Sequence, residues 1–315
     1  MKPIVVFGSI NMDLVTQTPR LPIAGETLQG SAFFTAAGGK GANQAVAAAK
    51  LGIPTQLVGR LGGDEFGHQL LAGLQAAGVQ TDGVLLDEAT GSGIAVITVD
   101  DAGENNIIII AGANGRLNET DVQRLSSRLP GAAALLMQLE IPMPVVQLAA
   151  QAAQQVGVPI ILDPAPAQDI PSELYPLVDI ITPNQLEAAQ LVGFPVEGQE
   201  AAAKASVELQ QRGVNTVMIK LGAQGVFCAT ATETFFVPAF WVQAVDTVAA
   251  GDAFNGALAV AVAEGRPVRE AVVWGAAAGA ISATKAGAQP SLPDRKTFLA
   301  FLKERGINYL DLPSS

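Results

Sequence analysis

Apolar, β-branched runs alternate with alanine- and leucine-rich runs of helical period along most of this chain, and that alternation narrows the fold more than any other feature. The pattern predicts buried strands at residues 4–7, 56–59, 134–138, 159–162, 179–182 and 216–220. Helical patterns lie between them at 41–51, 66–77, 144–156, 184–192 and 200–212. Gly52, Gly78, Gly157 and Gly213 follow the last helical residues, where glycine accepts a left-handed cap without strain. Strands that are apolar throughout and separated by helices imply a mostly parallel, doubly wound α/β sheet covered on both faces. Such sheets bind ligands beyond the carboxyl ends of their strands.

Two regions break the alternation. Residues 13–34 hold strand-like pieces and turns, and residues 93–100 and 105–110 read as a hairpin turning at Asp101-Ala102-Gly103-Glu104. These pieces form either a small separate sheet, suited to a lid that keeps water from a transfer reaction, or two extra edge hairpins. Beyond Lys220, residues 225–229 and 234–238 read as a meander before a helix over 253–263. The alanine-rich run at 271–286 carries Trp274, Ser282 and Lys285 and reads as a buried helix, not a membrane span. Residues 293–305 form a capped amphipathic helix, and the N-terminal apolar run reads as a first strand, not a signal peptide.

Composition limits the chemistry. With 18 Lys and Arg against 29 Asp and Glu, the formal net charge is −11, and no basic cluster marks a nucleic-acid surface. One cysteine, Cys228, excludes an intrachain disulfide and a paired-Cys zinc site, and it suits a reducing, cytoplasmic setting. One histidine, His68, sits at a helix start and reads as a solvated residue, so a general base here is expected to be a carboxylate.

Six segments could carry chemistry. In Ala249-Ala250-Gly251-Asp252, small residues lead into a helix and place free amides beside an acidic side chain. Such a helix start attracts negative charge, but aspartate is a common helix cap, and the short motif by itself favours that reading for Asp252. Gly38-Gly39-Lys40-Gly41-Ala42-Asn43 is a closely approachable loop with a cation, but it lacks the Ser or Thr of a P-loop. Asn11-Met12-Asp13 follows the first strand and could bind vicinal hydroxyls or form an Asx turn. Glu140 ends another strand. Asn184 and Glu187 are one helical turn apart and could hold a hydrated Mg²⁺ or close a capping box. Lys220-Leu221-Gly222-Ala223-Gln224-Gly225 is a turn that suits the flat face of a nucleotide. Each is weak alone, but four lie on one edge of the expected sheet. A nicotinamide-dependent dehydrogenase on the same fold is disfavoured, because no G-x-G-x-x-G follows the first strand. A non-catalytic sugar sensor would not need the acidic and anion-binding segments.

Gly38-Gly39-Lys40-Gly41-Ala42-Asn43 resembles the N-terminal signature of the ribokinase family of carbohydrate kinases, the PfkB type. Asp246-Thr247-Val248-Ala249-Ala250-Gly251-Asp252-Ala253-Phe254 resembles its C-terminal signature. The likeness covers nearly the whole chain. Gly8-Ser9-Ile10-Asn11-Met12-Asp13, Asp163-Pro164-Ala165-Pro166 and Gly287-Ala288-Gln289-Pro290-Ser291 look most like its ribose-phosphorylating members. The resemblance implies one α/β domain over 1–315, with a β-sheet lid from about 13–36 and 93–110 that also joins a homodimer. It implies sugar contacts from Asn11, Met12, Asp13, Gly39, Lys40, Gly41, Ala42, Asn43 and Glu140. ATP contacts would come from Asn184, the turn Lys220 to Gly225, Gly251 and Asp252. Asp252 would be the base, beside an anion site at Ala249, Ala250 and Gly251. It further implies Mg²⁺, served indirectly by Glu187, and K⁺ near Asp246, Val248, Ser282, Lys285, Gly287 and Ser291. Other sugars of the family, such as deoxyribose, fructose or a nucleoside, are the alternative substrates. Ala276 stands where these kinases often carry a polar residue near the adenine, which implies one base contact fewer.

Overall fold

The computed structural model describes residues 1–307, so the end of the expected domain, 308–315, lies outside the described residues. The chain runs through β1 (Ile4–Phe7), β2 (Asn11–Thr18), β3 (Ala32–Gly38), α1 (Lys40–Lys50), β4 (Thr55–Gly62), α2 (Glu65–Ala76), β5 (Gln80–Asp87), β6 (Gly93–Asp100), β7 (Asn105–Ile110), α3 (Glu119–Ser126) and β8 (Ala134–Met137). It continues through α4 (Met143–Gln155), β9 (Ile160–Leu162), β10 (Ile180–Ile181), α5 (Gln185–Val192), α6 (Gly198–Gln211), β11 (Thr216–Lys220), β12 (Gly225–Ala229), β13 (Thr234–Pro238), α7 (Ala250–Ala263), α8 (Val268–Ser282) and α9 (Arg295–Glu304).

Nine strands form the main sheet in the order β13-β12-β11-β10-β9-β8-β1-β4-β5. It is parallel from β5 to β11, and β12 and β13 add an antiparallel edge. Every residue of β1 is buried because side chains alternate between two covered faces. Ile4 and Val6 pack with α1, α7 and α8, while Val5 and Phe7 pack with α4 and α6. After β1 the chain winds outward to β4 and β5, then returns to place β8 on the other side of β1. That reversal opens a crevice at the carboxyl ends of β1 and β8, the expected place for a ligand.

Four strands form a second sheet in the order β3-β2-β6-β7. The strand-like pieces at 13–34 and the hairpin at 93–110 therefore share one sheet, with β2 parallel to β6. Its roots converge on the crevice, where Asn11 pairs with both Gly38 and Gly93.

Three details depart from the sequence reading. β5 and α3 are additional to it, since β5 is an edge strand with fewer than half its positions hydrophobic and α3 is short and polar. An Asn118/Asp121 capping box secures α3 instead. α7 begins at Ala250, so Asp252 lies inside its first turn. The alanine-rich helix stops at Ser282, and residues 283–286 lie beyond it. No helix among the described residues is long and apolar enough to cross a membrane.

Candidate active site

The site begins with two helix starts brought together. On α7, Gly256 faces Ala47 and Ala48 of α1 so closely that a Cβ there would collide with the Ala47 methyl. Asp252 lies one turn before Gly256, and Asn43 and Gln44 lie one turn before Ala47 and Ala48, so the contact brings these polar side chains together. Asn43 Nδ2 donates to Asp252 Oδ2 at 2.9 Å, and Gln44 Nε2 donates to Oδ1 at 3.1 Å. Asp252 is therefore not a helix cap: Ala249 holds the cap position, and no side chain caps the helix.

Ala249 is the only non-glycine residue with positive φ among those described, at 60°. A left-handed alanine costs on the order of 1 kcal/mol, and such strain tends to gather at functional sites. The Ala250 amide donates back to Thr247 O, so it is not free for a ligand as the sequence suggested. The amides of Gly251 and Asp252 have no acceptor in the preceding turn. They form the electropositive end of the helix dipole.

A cavity of about 820 Å³ opens from this helix start. Its polar wall carries Lys40, Asp163, Asn184, Glu187, Lys220 and Asp252. Lys220 Nζ bonds Asp163 Oδ1 at 2.9 Å, and a Cβ on Gly251 would stand 3.4 Å from that ammonium. Apolar side chains line it as well, among them Val226, Phe240, Val242, Val248 and Ala276. Gly222, Ala223 and Gly225 also line it, whereas Leu221 is buried in the core and Gln224 faces away. Charged groups together with apolar surface suit an anion joined to a flat ring.

Beyond Lys40 lie the other polar residues. Glu140 Oε2 accepts from Ser9 Oγ at 2.5 Å and from the Lys40 amide at 3.1 Å. Gly39, at φ 86°, presses its backbone against Ile10 and Asn11, where any Cβ would strike the Asn11 amide. Asp13 lies over Gly38, whose missing side chain makes room for the carboxylate. Asn11 is buried, and its Oδ1 accepts from Asn114 Nδ2 at 2.7 Å. The side chains of Met12 and Ala42 are buried in the core, and Gly41 lies against the backbone of Gly8 and Ser9.

Burial and crowding set the charges. Burial pushes Asp252 up to about 6; Lys40 opposes this, Asp163 adds to it, and the amides of Asn43 and Gln44 pull it back. Asp13 is raised to about 7 by burial and by the carboxylates of Glu140 and Asp252. Burial works against the Lys40 ammonium, yet Asp252, Asp163, Glu140 and Glu187 together hold its pKa above the ordinary lysine value. Glu187 is raised, chiefly by burial. Its two oxygens accept from the Asn184 amide at 2.7 Å and from Asn184 Nδ2 at 2.8 Å, closing the capping box.

The segments expected to hold a monovalent cation converge beside α7. Asp246 Oδ1 accepts from the Val248 amide at 2.9 Å and Oδ2 from the Gly287 amide at 2.8 Å, which ties the two loops together. Ser282 and Ser291 hydroxyls bond each other at 2.7 Å, and the Lys285 side chain is exposed. Asp163, Gln44, Gln138 and Asn114 are site residues that sequence reasoning misses. Only the Asp163-Pro164-Ala165-Pro166 and Gly38 to Asn43 segments point near two of them, and none carries a local signal of its own.

Residues 1–295 match the pfkB family carbohydrate kinase profile. A ribokinase of Haemophilus influenzae is 43% identical over 96% of this chain and 99% of its own. A deoxyribokinase of Salmonella typhi is 35% identical over 95% of this chain and 98% of its own. Among solved structures, Arabidopsis thaliana ribokinase complexed with ribose and ATP superimposes with a TM-score of 0.89 at 38% identity, covering 96% of this chain and 99% of that one. With this match across its length, the chain belongs to the pfkB family of carbohydrate kinases.

Proposed function

We propose that this protein transfers the γ-phosphoryl group of ATP to the 5-hydroxyl of D-ribose, with Asp252 as general base. One observation carries the reading: a buried carboxylate stands at a helix start with two free amides, where a large cavity meets a cluster of hydroxyl-binding groups. The names of the relatives supply the substrate, and this chain's own residues supply the roles.

ATP would lie in the cavity, its base against apolar side chains such as Phe240 and its phosphates toward Lys220, Lys40 and the start of α7. Asn11, Asp13, Asn43 and Glu140 would hold the sugar beyond Lys40, with the 5-hydroxyl toward Asp252. The carboxylate accepts the hydroxyl proton while the sugar oxygen bonds to the γ-phosphorus in line. The bond from that phosphorus to the bridging oxygen breaks, and ADP leaves. Amides of Gly251 and Asp252 and the two lysines neutralise charge on the transferring group. A base with a pKa of about 6 is well matched to this proton transfer, being ionised at neutral pH and still basic enough to take a developing proton.

Asp163 and Glu187 face the cavity on its polar wall, a hard-oxygen pair that fits Mg²⁺ held through water. Mg²⁺ would supply charge neutralisation on the β- and γ-phosphates. The tied loops at 246–248 and 287–291 offer oxygen donors suited to K⁺, with backbone carbonyls as the available ligands because the Asp246 and serine side chains are engaged. K⁺ there would support the start of α7. The second sheet would act as the lid, its exposed apolar face would join two copies, and the chain would work in the cytoplasm.

The test is ADP release by coupled assay with ribose, deoxyribose, fructose and a nucleoside, with and without K⁺. Ribose should give the highest kcat/KM. Preference for deoxyribose, which the Salmonella relative's name makes the nearest rival, would redirect the substrate assignment while keeping the chemistry. Asp252→Asn should remain folded and lose about 100- to 10,000-fold in kcat, the range for removing a general base. Near-normal turnover by that folded variant would remove Asp252 from the role.

A further inference from the structure

A buried chain of side-chain amides lies behind Asp252. Gln138, just after β8, donates from Nε2 to Gln44 Oε1 at 2.6 Å. Gln44 then uses its single Nε2 twice, toward Asp252 Oδ1 at 3.1 Å and Asp163 Oδ2 at 3.0 Å. Gln44 is 1% exposed and Gln138 is fully buried. Both heteroatoms of the Gln44 amide are taken up by protein partners, so it acts on Asp252 and not on a ligand.

The chemistry fixes how this amide points. A glutamine has two donor hydrogens and one carbonyl. Turned the other way, its carbonyl oxygen would face two carboxylates, a repulsive arrangement in a site with little water. Gln138 reinforces the choice by donating to the carbonyl. Its own amide is hemmed in by Gly8, where any Cβ would collide with Gln138 Oε1.

Taking Asp252 as the base proposed above, we infer that Gln44, oriented by Gln138, is a positioning residue that sets the plane of the Asp252 carboxylate and bridges it to Asp163. The bridge lets two acidic groups stand side by side and leaves the Asp252 carboxylate in one orientation toward the α7 amides. It also joins the two halves of the site. Asp163 is paired with Lys220 at the phosphate end, while Asp252 is paired with Asn43 at the sugar end. The other charges around Asp252 are Lys40 at the start of α1, Asp13 on β2, Glu140 after β8 and Glu187 on α5. None of these replaces the donor that Gln44 supplies. The donors from Asn43 and Gln44 both favour the ionised form of Asp252.

The test is the pH dependence of kcat for Gln44→Met, with ribose and ATP saturating. Loss of the donor disfavours the carboxylate, so the acid limb should move up by about one unit. At neutral pH kcat should fall by roughly 10- to 100-fold, the rate equivalent of one hydrogen bond to a charged group, with KM for both substrates little changed. Gln44→Glu, which preserves shape and keeps a carbonyl for Gln138, should move the limb further in the same direction because it adds a third acid. It also carries the test if Gln44→Met does not fold. Gln138→Leu should give a smaller shift of the same sign. A packing role alone would lower thermal stability and leave the acid limb in place. An unmoved limb in both folded Gln44 variants overturns the inference, as does a raised KM at unchanged kcat. Asp252→Asn separates the two ideas: if it is inactive while the Gln44 limb stays put, only the role of Gln44 fails.

Discussion

The two sheets are built from similar residues and end in opposite surroundings. β1, Ile-Val-Val-Phe, is buried on both faces, whereas β7 carries four isoleucines that are all exposed, with Ile108 at 65%. β7 is also an edge strand, with backbone groups unpaired along one side. A β-branched run thus specifies a strand without specifying what covers it. In the main sheet helices cover the strands and hold Asp252 from several sides. The second sheet meets the body at its roots, where Asn11 and Asp13 sit, and its far strands stand clear of the core. Under the proposed function the two surroundings would divide the labour: the base on the body, and sugar contacts on an element that is anchored at one end.

Three measurements would break or refine this division, and the pH profile should respond most. The acid limb of kcat/KM for the sugar should have two steps, one for Asp13 on the second sheet and one for Asp252 on α7. Asp13 and Asp252 both sit above the ordinary carboxylate range, at about 7 and about 6. A raised carboxyl is ionised only above its pKa, so efficiency should fall as pH drops through 7 and fall more steeply below 6. Each step costs about tenfold per pH unit. Asp13→Asn should remove the upper step and keep the lower one in a stopped-time assay from pH 5 to 8. A single step in the parent enzyme would deny the second sheet its part in binding.

Asn114 tests the anchored end. It accepts from the Ile10 amide at 2.9 Å and donates to Ile10 O at 3.1 Å and to Asn11 Oδ1 at 2.7 Å. Asn114→Leu leaves these buried partners unpaired, so it should cost about 1–3 kcal/mol of stability, read by thermal unfolding. It also frees the Asn11 amide to turn, so KM for the sugar should rise by about tenfold with kcat changed less. Equal losses in both parameters would place Asn114 with the body instead.

Ile108→Lys should disturb catalysis least. A charge on the exposed face should leave kcat within about twofold, as surface changes usually leave the fold intact. It should halve the mass seen by light scattering if that face joins two copies. An unchanged mass would move the dimer interface elsewhere.

Much of the architecture is legible in the sequence because its signals are local. Gly52, Gly78, Gly157 and Gly213 all take positive φ, as their positions after helices suggest. The strands of the main sheet are marked by apolar runs, since a strand covered on both faces has nowhere else to put polar residues. β5 and α3 escape because an edge strand and a polar capped helix carry weak periodicity. The site is legible where glycines mark a close approach, as at Gly38 to Gly41 and Gly251, and where a polar residue follows a strand or opens a helix, as at Asn11, Glu140 and Asn184.

The alternation of strand and helix and the glycine-marked turns follow from residue type and near neighbours, so the linear chain was enough to settle them. Tertiary structure decided which carboxylates meet and what they become. Asp252 and Asp163 belong to distant segments, yet both accept from one Gln44 amide because α1, α7 and the chain after β9 converge on the same crevice. Only that packing could turn an apparent helix cap into a buried acid with a pKa of about 6, since desolvation and neighbouring charge exist only once distant segments share a low-dielectric space.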